Sequence, residues 1–161
     1  MQVEKIIDAS KLIKRDLILT NLDFNNSSEI IKELSLLLEK GDYVKDTFCQ
    51  AVIKREKEFP TALLSKDVKV AIPHTDSEFV NKSAIAIAVL SKPIIFRQMD
   101  DPNQEINVDI VFLLAIKNSK QQLKVVQKMI ELFQKPGLLL KMKTYKSSEK
   151  IQNILINNIN N

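Results

Sequence analysis

Apolar positions along this chain follow two different periods, and the switches between them mark out the elements. After the polar cluster Asn25-Asn26-Ser27-Ser28, apolar residues recur at Ile30, Ile31, Leu34, Leu37 and Leu38, up to Gly41. Steps of three and four predict an amphipathic helix, capped by the cluster and stopped at the glycine. Val44 to Glu58 predicts a second helix, with Phe48 and Val52 facing inward and Ala51 and Cys49 as further candidates. A third runs from Ser119, read as its cap, to Phe133. Its stripe is Leu123, Val126, Ile130 and Phe133, and Pro136-Gly137 ends it. Shorter helices are expected over Leu138 to Met142 and Ser147 to Ile156, and Lys5 to Ile13 has rough helical spacing.

Elsewhere the apolar residues are continuous and often β-branched. Val68 to Ile72, Ser83 to Leu90 and Ile94 to Phe96 read as strands, with Pro93 separating the last two. Gln98 to Asn107, which contains Pro102, reads as an acidic polar turn. Val108 to Ile116 is apolar except for Asp109 and reads as a central strand covered on both faces. Leu17-Ile18-Leu19 is a further short apolar run. Strands and helices intermix, so the expected class is α/β or α+β, a mixed sheet flanked by helices. The 161 residues suit one domain, 1–161, with its core over about 16–156.

Composition narrows the chemistry. The chain is 45% hydrophobic and 27% charged, enough for a real core. No apolar run reaches the ~20 residues that span a bilayer. The start, Met1-Gln2-Val3-Glu4-Lys5, lacks a signal-peptide pattern, so a cytoplasmic protein is expected. With only Gly41 and Gly137, a dinucleotide fingerprint, a Walker A loop and a nucleophile elbow are excluded. One cysteine, Cys49, and one histidine cannot build the usual structural zinc site, and no metal or cofactor is expected. Cys49 reads as a small core residue. The formal charge of +4 comes from lysines spread along solvated helix faces, concentrated in Lys117 to Lys128 and Lys141 to Lys150. Few aromatics interleave with them, so no nucleic-acid partner is expected.

The one histidine stands in Val70-Ala71-Ile72-Pro73-His74-Thr75-Asp76. Pro73 cannot donate to a sheet ladder and keeps Ile72 extended, so it stops the strand and presents His74 at its end. Ligands of α/β sheets gather at such carboxyl ends, and an imidazole is the side chain suited to chemistry near pH 7.

Two motifs together, Arg55-Glu56-Lys57-Glu58-Phe59-Pro60-Thr61 and Ala71-Ile72-Pro73-His74, resemble the enzyme IIA domain of the bacterial sugar phosphotransferase system, of the fructose/mannitol-type superfamily. An apolar strand ending in Lys117-Asn118-Ser119 before a glutamine-rich helix follows in the same order, and the resemblance covers nearly the whole chain. His-Thr-Asp, the insertion between Thr61 and Val68, and Gln121-Gln122-Leu123 are closest to the galactitol-type branch. The resemblance implies the family's mixed sheet flanked by helices. It implies that His74 accepts a phosphoryl group from the phosphocarrier protein HPr and passes it to a cysteine of enzyme IIB, with the membrane enzyme IIC an indirect partner. Galactitol or a related sugar alcohol would be the sugar. Arg55 matches the motif arginine beside the phosphorylated histidine, and Thr61 falls in the same motif. The mannitol branch has a second histidine where this chain has Gln122, which can donate a neutral hydrogen bond but adds no charge. That branch also has a glutamate near the position of Val68, with Asp67 next to it here.

Chemically, neutral imidazole is a competent nucleophile near pH 7, and a loose phosphoryl-transfer transition state asks mainly for positioned donors. One ring nitrogen must face phosphorus; an acceptor such as a backbone carbonyl would hold the other. Arg55 would offer a fork of donors to phosphoryl oxygens. Thr61 and Thr75 are either further donors or turn residues, and Asp76 either caps the next turn or touches the histidine. Phe79 and Val80 are either exposed contacts for the partner proteins or the start of the core. Two other functions stay open: a regulatory, non-transport module of the same fold, and a basic interaction module with an incidental histidine.

Overall fold

The computed structural model describes residues 8–65 and 67–159. Its sheet contains β1 (Ile13–Leu22), β2 (Ala62–Leu63), β3 (Val70–Ala71), β4 (Ala84–Arg97) and β5 (Glu105–Ala115). The helices are α1 (Ser27–Lys40), α2 (Phe48–Glu58), α3 (Ser119–Phe133), α4 (Leu138–Thr144) and α5 (Ser148–Ile159). Strand order is β1-β4-β5-β3-β2. β1 lies parallel to β4 and β3 parallel to β5, while β4–β5 and β2–β3 are antiparallel. The expected mixed sheet flanked by helices is the observed architecture.

β5 shows why both faces are covered. Ile110, Phe112 and Leu114 point into one apolar layer, with Val125, Met129 and Phe133 of α3, Met142 of α4 and Leu155 of α5. Val111, Leu113 and Ala115 alternate into the other, with Ile30, Leu34 and Leu38 of α1 and Phe48 and Val52 of α2. In the first part of β4 the residues facing that second layer are Ala84, Ala86 and Ala88, whose small side chains let α1 approach closely, followed by the larger Leu90, Ile94 and Phe96. Asn26 caps α1, accepting from Glu29 N–H at 3.0 Å, as its position in the polar cluster predicts.

Several boundaries depart from the sequence reading. α2 begins at Phe48 because Val44 is drawn into an antiparallel bridge with Val80. Pro93 does not separate two strands. β4 runs through it, in a stretch where the register with β5 shifts between Val89 and Ile94 and after the last pairing with β1 at Leu90. A missing N–H is tolerated at such an irregularity. The polar turn is shorter, since β5 already starts at Glu105. Asn118, not Ser119, caps α3 through bonds of 2.9 and 3.1 Å from the N–H groups of Lys120 and Gln121. The α3 stripe is rotated: Val125, Met129, Leu132 and Phe133 are buried, while Leu123 is 61% exposed. Phe133, common to both stripes, docks on Phe112 with ring centroids 4.8 Å apart, and Val126 and Ile130 stay partly buried against the same layer. Of the helical spacing at Lys5 to Ile13, residues 5–7 lie outside the described residues, and Ala9–Leu12 form a short 3-10 turn.

Val80 is buried and Phe79 packs against the α1–α2 layer, so both belong to the core rather than to an exposed apolar patch. Phe79→Ala should therefore lower the unfolding free energy by about 1–3 kcal/mol, less than a fully buried phenylalanine would cost. Chemical denaturation measures it, and an unchanged midpoint would return Phe79 to the surface.

Candidate functional site

Topology brings three distant segments to one end of the sheet. β3 is short, and Ile72-Pro73 carries the chain on to His74. The Pro73 carbonyl still accepts from Leu114 N–H at 3.0 Å. Because β3 is parallel to β5, α3 starts from the same end that presents His74. Because β2 is antiparallel to β3, β2 begins there too, with the Thr61 carbonyl accepting from Ile72 N–H at 3.3 Å. Three residues, Phe59, Pro60 and Thr61, link that start to the end of α2. The final turn of α2, which carries Arg55 and Glu56, is thereby delivered beside the histidine.

His74 is half-buried, and its Nδ1 lies 2.8 Å from the Ile72 carbonyl oxygen. A carbonyl only accepts, so Nδ1 carries the proton and Nε2 keeps its lone pair. Burial pulls the His74 pKa below its ordinary 6.5; the Ile72 bond opposes this, the Arg55 charge lowers it further, and Asp76 raises it. The ring is thus neutral at pH 7, the nucleophilic state. Asp76 is exposed and makes no side-chain cap to the turn Ser77–Phe79 that follows it. Thr75 is buried directly after the histidine.

Arg55 has its guanidinium carbon 5.2 Å from the centroid of the Phe59 ring, and that ring is itself exposed. Its Nε is buried without a hydrogen-bond partner among the described residues, and so is Oε1 of Gln122 in the first turn of α3. Leaving a buried polar atom unpaired costs roughly 1–3 kcal/mol. Both atoms belong to segments that the topology brings to the end of the sheet that presents His74. The Gln122 amide can turn to present either its oxygen or its NH2 there.

Thr61 is also buried, but its hydroxyl is engaged elsewhere. Thr61 N–H donates to Glu56 Oε1 at 3.0 Å and Thr61 Oγ1 donates to Oε2 at 2.9 Å. Glu56 has no site role in the sequence reading. Only its position next to Arg55 in the motif signals it, because neither its burial nor its bond to Thr61 can be seen locally. Burial pushes its carboxyl up from 4.5 to about 7, against the Thr61 bonds and the Arg55 charge. Val68, at the position of the mannitol-branch glutamate, is in the core. Among the described residues no group of three or more His, Cys, Asp or Glu side chains could hold a metal ion. Nor is any described helix long and apolar enough to cross a membrane.

A carboxyl whose folded pKa is raised favours folding at low pH, and that contribution is lost as pH rises from 4.5 through about 7. Glu56→Gln, which cannot ionise, should escape the loss. Its stability relative to the wild type should rise by up to about 3 kcal/mol between pH 5 and 8. His74 acts in the opposite sense, costing stability as pH falls below 6.5, and does so equally in both proteins. Urea titrations at the two pH values check this; parallel pH curves would refute it.

Residues 11–158 match the family described as Phosphoenolpyruvate-dependent sugar phosphotransferase system, EIIA 2. The galactitol-specific EIIA component of Escherichia coli strain K12 is 33% identical over 121 residues, 74% of this chain and 79% of that one. The transcriptional regulator ManR of Bacillus subtilis strain 168 is 33% identical over 93 residues, 58% of this chain and 13% of that protein. Among solved structures, the chain is similar to one in the complex of enzyme IIAMTL with phosphorylated enzyme IIBMTL from Escherichia coli. The TM-score is 0.75 at 19% identity, covering 88% of this chain and 95% of that one.

Proposed function

The chain belongs to the EIIA 2 family of the phosphoenolpyruvate-dependent sugar phosphotransferase system, and from that premise we propose that His74 carries a phosphoryl group on Nε2. The carrying observation is the bond from Nδ1–H to the Ile72 carbonyl, which leaves Nε2 unprotonated and holds the ring in one orientation. The donor is HPr. Nε2 attacks phosphorus as the P–N bond to the HPr histidine breaks, and the Nδ1 proton stays in place. The ring gains positive charge, which the Ile72 carbonyl dipole stabilises. Arg55, whose buried Nε has no partner among the described residues, and the Gln122 amide, whose buried Oε1 likewise has none, bind the phosphoryl oxygens. In the second half-reaction a cysteine thiolate of enzyme IIB attacks phosphorus. The P–N bond breaks, a P–S bond forms, and neutral His74 returns.

Thr61 serves the site through Glu56, and Thr75 shapes the turn that presents the imidazole. Galactitol, or a related sugar alcohol, is the sugar served, on the similarity to the galactitol-specific component. The sugar itself binds the membrane enzyme IIC. The chain works as one cytoplasmic domain with its core over residues 16–156. A second reading draws on the similarity to ManR: the phosphorylation state of His74 would then govern a binding partner rather than sugar uptake.

The test is incubation with phosphoenolpyruvate, enzyme I and HPr, followed by intact mass under alkaline conditions and addition of galactitol-type enzyme IIB. One acid-labile, alkali-stable phosphoryl group that enzyme IIB discharges is the expected result. A stable adduct that no sugar-alcohol enzyme IIB discharges favours the regulatory reading. No uptake from phospho-HPr would overturn both.

A further inference from the structure

Glu56 is a half-buried ionisable group at this end of the sheet that the transfer chemistry leaves without a task. Its position is unusual for a structural carboxylate. It lies on the last turn of α2, next to Arg55, and uses both oxygens on one residue. Thr61 N–H reaches Oε1 and Thr61 Oγ1 reaches Oε2. The Thr61 carbonyl in turn accepts from Ile72 N–H, and the Ile72 carbonyl accepts from Nδ1–H of His74. Three consecutive contacts therefore connect the carboxylate to the imidazole, each within 3.3 Å.

We propose that Glu56 is a positioning residue: by gripping Thr61 through both carboxylate oxygens it holds the Ile72 carbonyl that orients the His74 ring and the helix end that carries Arg55. This deepens the phosphotransfer reading and rests on it for its kinetic consequence. Two features favour the role over simple packing. β2 and β3 are only two residues long each, paired at Ala62–Ala71 and Leu63–Val70. On the β5 side the segment is held by the β3–β5 pairing and by the Leu114 N–H bond to the Pro73 carbonyl, whereas on the β2 side the Thr61–Ile72 bond continues only two residue pairs, and the grip on Thr61 steadies that side. The linker from α2 to β2 is Phe59-Pro60-Thr61, and Phe59 is 59% exposed. The Glu56–Thr61 bonds close that corner from the inside. Loosening the corner frees the Arg55 turn and the Ile72 carbonyl together, and a displacement of about 1 Å at a reacting group can cost 100-fold in rate.

Chemistry predicts which replacement works. A glutamine at position 56 can accept from Thr61 N–H through its oxygen and donate its NH2 to Thr61 Oγ1, so Glu56→Gln keeps the grip without the charge. Glu56→Ala loses both bonds. Thr61→Val keeps the shape and the N–H but loses the hydroxyl bond.

The experiment records 15N spectra of the His74 ring in the unphosphorylated wild type and these three variants, at a pH where the ring is neutral. It also measures transfer from phospho-HPr. The wild type and Glu56→Gln should show the Nδ1–H tautomer alone and transfer rates within about 3-fold of each other. Glu56→Ala should show both tautomers and transfer roughly 10- to 100-fold more slowly. Thr61→Val should shift in the same direction by less, and it decides the matter if Glu56→Ala does not fold. A folded Glu56→Ala, or else Thr61→Val, with the wild-type tautomer signal would overturn the proposal, as would Glu56→Gln behaving like Glu56→Ala. The tautomer is read without any phosphate on the protein, so this outcome is separate from whether His74 is phosphorylated at all.

Discussion

His74→Ala should take up no phosphate when incubated with phosphoenolpyruvate, enzyme I and HPr. His74 is the only histidine of the chain. The other nucleophile with comparable chemistry, Cys49, is half-buried on the second residue of α2. Transfer between phosphohistidines needs a nitrogen that is unprotonated, accessible and aimed. Nε2 is left unprotonated because Nδ1–H is held by the Ile72 carbonyl, and the ring stays neutral because burial and Arg55 lower its pKa. The side chains placed nearest the ring by motif and topology do not offer a comparable lone pair. Gln122 is an amide, Thr61 has its hydroxyl on Glu56, and Arg55 stays protonated. Intact mass is the readout. A phosphoryl adduct on the variant would show that the nucleophile is elsewhere. The same lowered pKa sets the pH response of the wild type: acceptance from HPr should hold from pH 8 down to 6.5 and decline only below that, as the ring protonates.

Arg55→Ala should slow transfer by roughly 10- to 1000-fold, the scale of losing one strong donor aimed at developing charge, with little loss of fold. Its Nε is buried and has no hydrogen-bond partner among the described residues, so that donor adds no bond to the fold they form. What stability it does contribute includes the cation–ring contact with the exposed Phe59, of order 0.5–1 kcal/mol, and the attraction of its charge for the neighbouring Glu56 carboxylate. Arg55→Lys should recover only part of the rate, because an ammonium keeps the charge and loses the planar fork. Removing Arg55 also removes one of the influences that lower the His74 pKa, so the pH midpoint for acceptance should move up in the variant. Rapid-quench measurement of phosphoryl acceptance across pH separates the two effects. Wild-type rates in Arg55→Ala would remove it from the site.

Much of the fold could be read from neighbouring residues, and where it could not, the missing information lay far away in the chain. Asn26 was identifiable as a cap because capping depends on the three residues after it. β5 was legible because an apolar run bounded by polar turns admits few other placements. Pro93 was misleading for the opposite reason: whether a proline ends a strand depends on what pairs beside it. Here β1 has already ended, and the register with β5 is already irregular. Apolar residues occur on more than one face of α3, so its periodicity supports two rotations, and the packing of Val125, Met129 and Leu132 into the layer with Phe112, remote in the chain, distinguishes them. Phe79 and Val80 follow the histidine closely enough to pass for a docking surface, yet the bridge from Val80 to Val44 turns them into the core.

At the site the division is the same. That His74 stands at a strand end, with Arg55 and Thr61 in one motif upstream, follows from residue order alone. Residue types are written in the chain: one imidazole at position 74, a fork of donors at position 55 and an amide at position 122, where the resemblance to the mannitol branch implies a second histidine in that branch. Tertiary structure alone decided the states of those groups. The ring tautomer depends on a carbonyl two residues back, whose position is set by strand pairing. The lowered pKa of His74 and the raised pKa of Glu56 depend on burial by segments remote in the chain. Identity is a local property of the chain, whereas solvation and hydrogen-bond partners are properties of what folds against it.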